Sequence, residues 1–272
     1  MRALLERHKA RADKSFGQNF LVDKAALAAI VAAAELRPDS VVFEVGPGLG
    51  TLTVELARRA ARVVSVELDP EMLPVLAETL DGLDNVELVN ADALTFDLTR
   101  LPSGSLLVAN LPYNVATPLI VRALESGRFA RLVFLVQREV GDRLVAGAGD
   151  AAYGALSLIV ERFTRARRVV RHVAPGAFMP PPKVTSSVVR LDVDPLAVPD
   201  PGLVRLIHEA FAHRRKTLRR NLLYAAYPEP AVDRALAHLG LDAMVRAEAL
   251  PLTQFERLRP LLEHTGRLIE ID

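Results

Sequence analysis

The sequence predicts an α/β protein: a parallel sheet wrapped by helices on both faces, followed by a small all-helical domain. Three observations lead there. Five β-branched apolar runs alternate with helical segments between residues 40 and 145, the pattern of strands joined by crossover helices. Polar residues fall at the carboxyl ends of four of these runs, where such sheets take their ligands. Past about residue 195 the strand signals stop, and "DPLAVPDPG" (Asp194–Gly202), rich in proline and aspartate, reads as a linker into helical sequence.

The elements follow in order. "DKAALAAIVAAAEL" (Asp23–Leu36) has helical composition with Asp23 as N-cap, and Arg37-Pro38-Asp39 breaks it. "SVVFEVGPGLG" (Ser40–Gly50) is a short buried strand entering a glycine turn, and "TLTVELARRAA" (Thr51–Ala61) is the helix after it. "RVVSVELDP" (Arg62–Pro70) is the second strand, with Asp69 capping the helix "EMLPVLAETL" (Glu71–Leu80), which carries Pro74 near its first turn. "NVELVNADAL" (Asn85–Leu94) and "SLLVANLPY" (Ser105–Tyr113) are the third and fourth strands with their exit loops. "RLVFLVQREVGDRLV" (Arg131–Val145) is a fifth strand running into a helix. Beyond the linker, "LVRLIHEAFAHRRKTLRRNLLYAAY", "PAVDRALAHLG" and "TQFERLRPLLEHTG" are helical. The expected domains are residues 1–196 and 197–272.

Composition narrows the function. Half of the 272 residues are apolar and a quarter are charged, the balance of an ordinary soluble globular protein. No apolar run approaches the roughly 18 residues of a membrane span, and the N-terminus has no apolar core of a secretory signal. Cysteine is absent, which excludes disulfides and thiolate metal sites and makes the cytoplasm the expected location. No tight cluster of His, Asp and Glu stands at ligand spacing, so no metal is expected. No long exposed apolar stripe argues for an obligate dimer, and a monomer is expected. The net charge is only +1, but residues 160–220 hold 13 Lys/Arg against 5 Asp/Glu, a net of +8, leaving −7 for the rest. That asymmetry suggests a basic face for a polyanion.

The strand ends carry the chemistry. In "EVGPGLG", Gly46, Gly48 and Gly50 allow a tight turn that lets a ligand approach the backbone. The spacing is G-x-G-x-G rather than the G-x-G-x-x-G of dinucleotide binders. Glu67 lies 21 residues after Gly46, at the end of strand two, where a carboxylate can accept hydrogen bonds from ribose hydroxyls. NAD and S-adenosylmethionine sites share that device. Asp92, after strand three, can accept from an adenine exocyclic amine. A second acid together with the altered glycine spacing favours S-adenosylmethionine over NAD.

"NLPYN" (Asn110–Asn114) resembles the N-L-P-Y motif of adenine-N6 methyltransferases acting on nucleic acid. The exocyclic nitrogen of adenine is a poor nucleophile because its lone pair is delocalised into the ring. Hydrogen bonds from its hydrogens to the Asn110 side-chain oxygen and to a backbone carbonyl such as that of Leu111 favour a more tetrahedral nitrogen. They also aim its lone pair at the sulfonium methyl, and orientation of this kind is worth at best about 7–11 kcal/mol. Pro112 fixes the local backbone. Tyr113 offers a ring face for an extruded base.

With "FGQNFL" (Phe16–Leu21), "EVGPGLGTLT" (Glu44–Thr53), "VELD" (Val66–Asp69), "NADAL" (Asn90–Leu94), "NLPYNVATPLI" (Asn110–Ile120), "VAPGAFMPPPKVTSSVVRL" (Val173–Leu191) and "FAHRRKTLRRNL" (Phe211–Leu222), the resemblance covers nearly the whole chain. The sequence is similar to the ribosomal RNA adenine N6,N6-dimethyltransferase family. That resemblance implies a Rossmann-like methyltransferase domain followed by a small helical domain, with S-adenosylmethionine as cofactor and S-adenosylhomocysteine as product. It implies that the arm 1–22 contributes to the cofactor site, with Asn19 and Leu21 lining the methionine side. Gly46 would touch the cofactor through its backbone, Glu67 would bind the ribose and Asp92 the adenine. Asn110 would sit where cofactor and target amine meet, and Phe178 would give a second aromatic face opposite Tyr113. The implied substrate is two adjacent adenosines in the 3′-terminal hairpin of 16S ribosomal RNA in the small subunit. Arg214, Arg215, Lys216, Arg219 and Arg220 suit it, with Arg215 and Arg219 sharing a helix face that neutralises phosphates.

Three rivals remain. A large-subunit methyltransferase of the antibiotic-resistance type shares the N-[LI]-P-Y core, and "AFMPPPKVTSSV" with "RRKTLRRN" favours the small-subunit enzyme. An NAD-dependent oxidoreductase is opposed by the glycine spacing and Asp92. A non-catalytic assembly factor that binds immature small subunits would use the same basic surface.

Overall fold

The structure is a computed structural model and describes residues 7–8 and 18–263. Two compact units emerge: one runs to Val145 and resumes over Phe163–Val198, and the other joins Ala146–Arg162 to the chain from Pro199 onward. The division thus falls near the linker but is not two consecutive blocks, because residues 146–162 leave the first unit for the second.

Among the described residues the first unit has nine strands, seven in one sheet and two in a separate pair, Phe20–Leu21 with Phe178–Met179. A two-residue strand β1 (Phe20–Leu21) precedes helix α1 (Lys24–Ala34). Then come β2 (Val41–Val45), α2 (Thr51–Ala57), β3 (Arg62–Glu67), α3 (Leu73–Thr79), β4 (Val86–Asn90), β5 (Ser105–Asn110), α4 (Ala116–Glu125), β6 (Phe129–Gln137) and α5 (Arg138–Val145). After α6 (Ala155–Phe163), the chain returns as β7 (Thr164–Val173), β8 (Phe178–Met179) and β9 (Ser186–Val193). The sheet order is β4-β3-β2-β5-β6-β9-β7. The strands β2 to β6 are mutually parallel, as their alternation with helices predicts. The chain reverses its direction of winding between β2 and β5, which opens a crevice at the carboxyl ends of those two strands.

Local signals account for much of this. Asp23 caps α1 by accepting from the Ala26 N–H at 2.8 Å, and Asp69 caps the 3-10 turn Pro70–Met72 that leads into α3. Phe43, Val63, Leu107 and Val133 are fully buried in the central strands. Each such side chain contributes roughly 1.5–3 kcal/mol on burial.

The antiparallel end of the sheet was not read from sequence. β9 pairs antiparallel with both β6 and β7 and is buried along its whole length, so it shows no alternation. In β7 the register shifts twice, between Thr164/Ala166 and between Val169/Arg171, which scrambles the period of two on which strand recognition rests. At this end Arg190, 7% exposed, ties the sheet to α1. Its guanidinium donates to Asp192 at 3.0 Å, to the Ala33 carbonyl at 3.1 Å and to Glu35. Arg131 adds a bond to Asp192 at 2.6 Å and one to the Ala34 carbonyl at 2.8 Å. The last carbonyls of α1 therefore receive donors that the helix itself cannot provide.

The second unit contains α7 (Pro201–Ala210), α8 (Leu218–Tyr224), α9 (Glu229–His238) and α10 (Leu252–Glu263). The long helix expected over "LVRLIHEAFAHRRKTLRRNLLYAAY" is broken into α7 and α8 by a turn at residues 211–217. Thr217 ends the turn by capping α8, its hydroxyl accepting from the Arg220 N–H at 3.2 Å. From α8, Asn221 donates to the carbonyls of Ala210 at 2.6 Å and His213 at 3.3 Å, replacing bonds that a continuous helix would have made.

Candidate active site

A cavity of about 290 Å³ opens at the carboxyl ends of β2, β3, β4 and β5, closed on one side by Gln18–Leu21. Gly46, Glu67, Asp92 and Asn110, predicted from four separate strand ends, all line it, as do Asn19, Leu21, Leu111, Pro112 and Tyr113.

The glycine turn follows from backbone demands. Gly46 and Gly48 have φ of 64° and 56°, a region that costs a non-glycine residue roughly 1–2 kcal/mol. Space is also tight at Gly48, where a Cβ would meet the Phe20 ring at 3.0 Å. The turn therefore presents bare backbone to the cavity.

Glu67, 5% exposed, is held by two backbone donors: Gly48 N–H to Oε2 at 3.2 Å and Asp69 N–H to Oε1 at 2.9 Å. Burial pushes its carboxyl above the usual range, while those two N–H groups pull the other way. Glu44, which also lines the cavity, is 1% exposed and accepts from the Ser65 hydroxyl at 2.9 Å. Burial lifts Glu44 to about 7, against the hydroxyls of Thr53 and Ser65 and with the help of the neighbouring Glu67 charge. Asp92 shapes its own loop, since Oδ1 accepts from the Leu94 N–H at 2.8 Å. Arg122 from α4 secures the same loop by donating to the carbonyls of Ala93 and Phe96.

Asn110 is half-buried and donates its Nδ2 to the Asn19 carbonyl at 3.0 Å. That commits the amide's donor side and leaves Oδ1 as the acceptor of a side chain that lines the cavity. Tyr113 is likewise fixed, its hydroxyl 2.7 Å from the Ser186 hydroxyl at the start of β9. Burial raises the Tyr113 phenol above its ordinary value, so it stays neutral.

Phe178 sits elsewhere. It is 4% exposed, opposite Leu21 in the β1–β8 pair, within an apolar cluster that includes Ile30 and Val188. It is not among the residues that line the cavity, so in this conformation the second ring face expected opposite Tyr113 is turned into the core.

The basic segment is also divided. Arg214, Arg215 and Lys216 are exposed on the turn at 211–217 rather than on a helix, so Arg215 and Arg219 share no helix face. Arg219 is committed to Asp233 at 2.7 Å and to Glu229 at 2.5 Å.

Three contributors escaped the sequence reading. Gln18 lines the cavity and donates to Asp69 at 2.8 Å. Ser65 holds Glu44, and Ser186 anchors Tyr113. Gln18 lies inside the quoted "FGQNFL", but the two serines carry no local signal.

Known proteins bear on this geometry. The family described as Ribosomal RNA adenine dimethylase matches residues 9–263. The chain is 47% identical over 254 residues to the Ribosomal RNA small subunit methyltransferase A of Deinococcus radiodurans, covering 93% of this chain and 86% of that protein. It is 40% identical to the protein of the same name from Geobacillus kaustophilus, covering 94% and 92%. Among solved structures, a dimethyladenosine transferase from Plasmodium falciparum superposes with a TM-score of 0.77 at 27% identity, covering 91% of this chain and 98% of that one. The 23S rRNA methyltransferase ErmE gives 0.68 at 31% identity, covering 90% and 100%. A mixed sheet with a cavity at the switch point of its parallel strands, the Asn-Leu-Pro-Tyr segment on the wall and a family match over 9–263 lead to one conclusion: this chain belongs to the ribosomal RNA adenine dimethylase family.

Proposed function

We propose that this protein transfers methyl groups from S-adenosylmethionine to N6 of adenosine in small-subunit ribosomal RNA, ending at N6,N6-dimethyladenosine. Its targets are two adjacent adenosines in the 3′-terminal hairpin of 16S RNA, and it acts as a cytoplasmic monomer during small-subunit maturation. The observation that carries this reading is the Asn110 amide, whose donor side is tied to the Asn19 carbonyl at 3.0 Å while its oxygen remains an acceptor.

The cavity suits the cofactor. Bare backbone at Gly46 admits close approach. Glu67, oriented by the Gly48 and Asp69 N–H groups, keeps lone pairs for ribose hydroxyls. Asp92 has one oxygen on Leu94 and a second for an adenine amine. Asn19 and Leu21 take the methionine side. The bound cofactor would supply an electrophilic methyl group. The protein's own residues do the rest: Asn110 and the Leu111 carbonyl accept from the target amine and turn its lone pair out of conjugation with the ring. Pro112 holds that carbonyl in place, and Tyr113, pinned by Ser186, stacks the base. No general base is required, because the methylated amine releases its proton to water. In the second unit, Arg214, Arg215, Lys216 and Arg220 face RNA phosphates, whereas Arg219 braces α8 against α9 through its acidic partners.

The match to ErmE keeps a large-subunit substrate as the second reading. Labelled S-adenosylmethionine is offered with unmodified small subunits and, separately, with large-subunit RNA, and the products are identified by mass. Dimethyladenosine at two adjacent 3′-terminal positions of 16S RNA is the expected result. Label on large-subunit RNA alone would move the protein to the second reading. Cofactor binding with no label on either would leave an assembly factor.

A further inference from the structure

The cations of the second unit are in two states. Arg219 is neutralised by Asp233 and Glu229. Arg214, Arg215 and Lys216 are exposed, and none of them has an ion pair among the described residues. Their turn is held from within. Asn221, 2% exposed, donates to the carbonyls of Ala210 and His213. The Lys216 N–H closes on the His213 carbonyl at 2.9 Å. The turn is therefore a preorganised cationic ledge, and binding there requires little ordering of backbone.

An aromatic ring is contiguous with that ledge. Tyr224, at the end of α8, is 51% exposed. The Arg220 guanidinium lies 4.9 Å from its ring centroid. The imidazole of His213, the residue just before Arg214, meets it edge-on at 5.2 Å. Cations beside a half-exposed ring that carries a guanidinium on one face suit single-stranded nucleic acid: phosphates neutralised along the backbone and a base laid on the ring.

We propose that Tyr224, backed by Arg220, is a nucleobase platform: an unpaired nucleotide of the RNA stacks on it while Arg214, Arg215 and Lys216 hold the flanking phosphates. This base is not the one that is methylated. The inference rests on the ribosomal RNA reading above and names a contact that the basic residues alone would not make. Stacking is tolerant of base identity, so the platform adds affinity and register without sequence preference.

The test is affinity of the full-length protein for unmodified small ribosomal subunits between about 50 and 300 mM salt. The variants are Tyr224→Phe, Tyr224→Leu, Tyr224→Ala and the triple Arg214→Ala/Arg215→Ala/Lys216→Ala, with thermal melting to confirm folding. Tyr224→Phe should bind as wild type. Tyr224→Leu and Tyr224→Ala should bind about ten- to a hundredfold more weakly with an unchanged salt slope. The triple variant should lower the slope by about two to three. If Tyr224→Ala binds normally while the triple variant is weakened, Tyr224 is only a surface neighbour of Arg220 and the platform is overturned. If Tyr224→Leu binds as wild type, the contact is apolar rather than stacked, which overturns it equally. A triple variant with unaltered binding removes the ledge and the platform with it. Wild-type protein that neither binds nor methylates small subunits sinks the parent reading instead.

Discussion

Glu44 ties the stability of the fold to pH. The perturbation is Glu44→Gln, which keeps the side chain's shape and removes its ionisation. Glu44 is 1% exposed, and burial raises its carboxyl from 4.5 to about 7, the nearby Glu67 charge adding to the effect. The sign follows from proton binding: the folded state holds this proton more tightly than the unfolded chain does. Below pH 4.5 the carboxyl is protonated in both states and contributes no pH-dependent cost. Between 4.5 and about 7 the unfolded state ionises first and stability falls; above that the loss is constant. The difference, 7 − 4.5 = 2.5 units, corresponds to about 3 kcal/mol at 1.36 kcal/mol per unit. Urea unfolding of wild type and Glu44→Gln across this range, followed by circular dichroism, reads the quantity directly. Wild-type stability minus variant stability should fall by about 3 kcal/mol as pH rises through the window. Labelled glutamate carboxyls should show one group titrating near 7. A difference that stays flat with pH would refute the assignment, because it would mean that Glu44 ionises as easily folded as unfolded.

Other substitutions probe separate parts of the fold. Gly48→Ala forces a residue at φ 56° against Phe20 at 3.0 Å. It should cost about 2 kcal/mol or more and weaken cofactor binding by calorimetry; unchanged melting and affinity would contradict the packing described. Arg190→Ala leaves Asp192 with only Arg131 and strips the Ala33 carbonyl of its donor. A loss of about 3 kcal/mol in unfolding free energy is expected, and a loss below about 1 kcal/mol would show that the network is solvent-screened. Asn110→Ala should lower methyl transfer by more than about a hundredfold while subunit binding stays near normal. Equal loss of transfer and binding would remove the separation between catalysis and recognition.

Much of the first unit was legible because its information is local. β-branched runs, the caps at Asp23 and Asp69 and the glycine turn each report on a few neighbouring residues, and alternation with helices is enough to make strands parallel. The strand-end positions of Glu67, Asp92 and Asn110 follow from the same local reading, and the resemblance of the quoted segments supplied the family. Other features depend on residues far apart in the chain. The carbonyl that fixes Asn110 lies 91 positions away, on Asn19. The hydroxyl that anchors Tyr113 lies 73 positions away, on Ser186. Phe178 faces the core where β8 pairs with β1, and Arg219 is ion-paired because α9 brings Asp233 and Glu229 beside it. Sequence by itself determined which side chains stand at the ends of which strands, since periodicity is a property of neighbouring residues. Tertiary structure alone decided which of them are held, buried or neutralised, since those states depend on partners that only the packed chain brings within hydrogen-bonding distance.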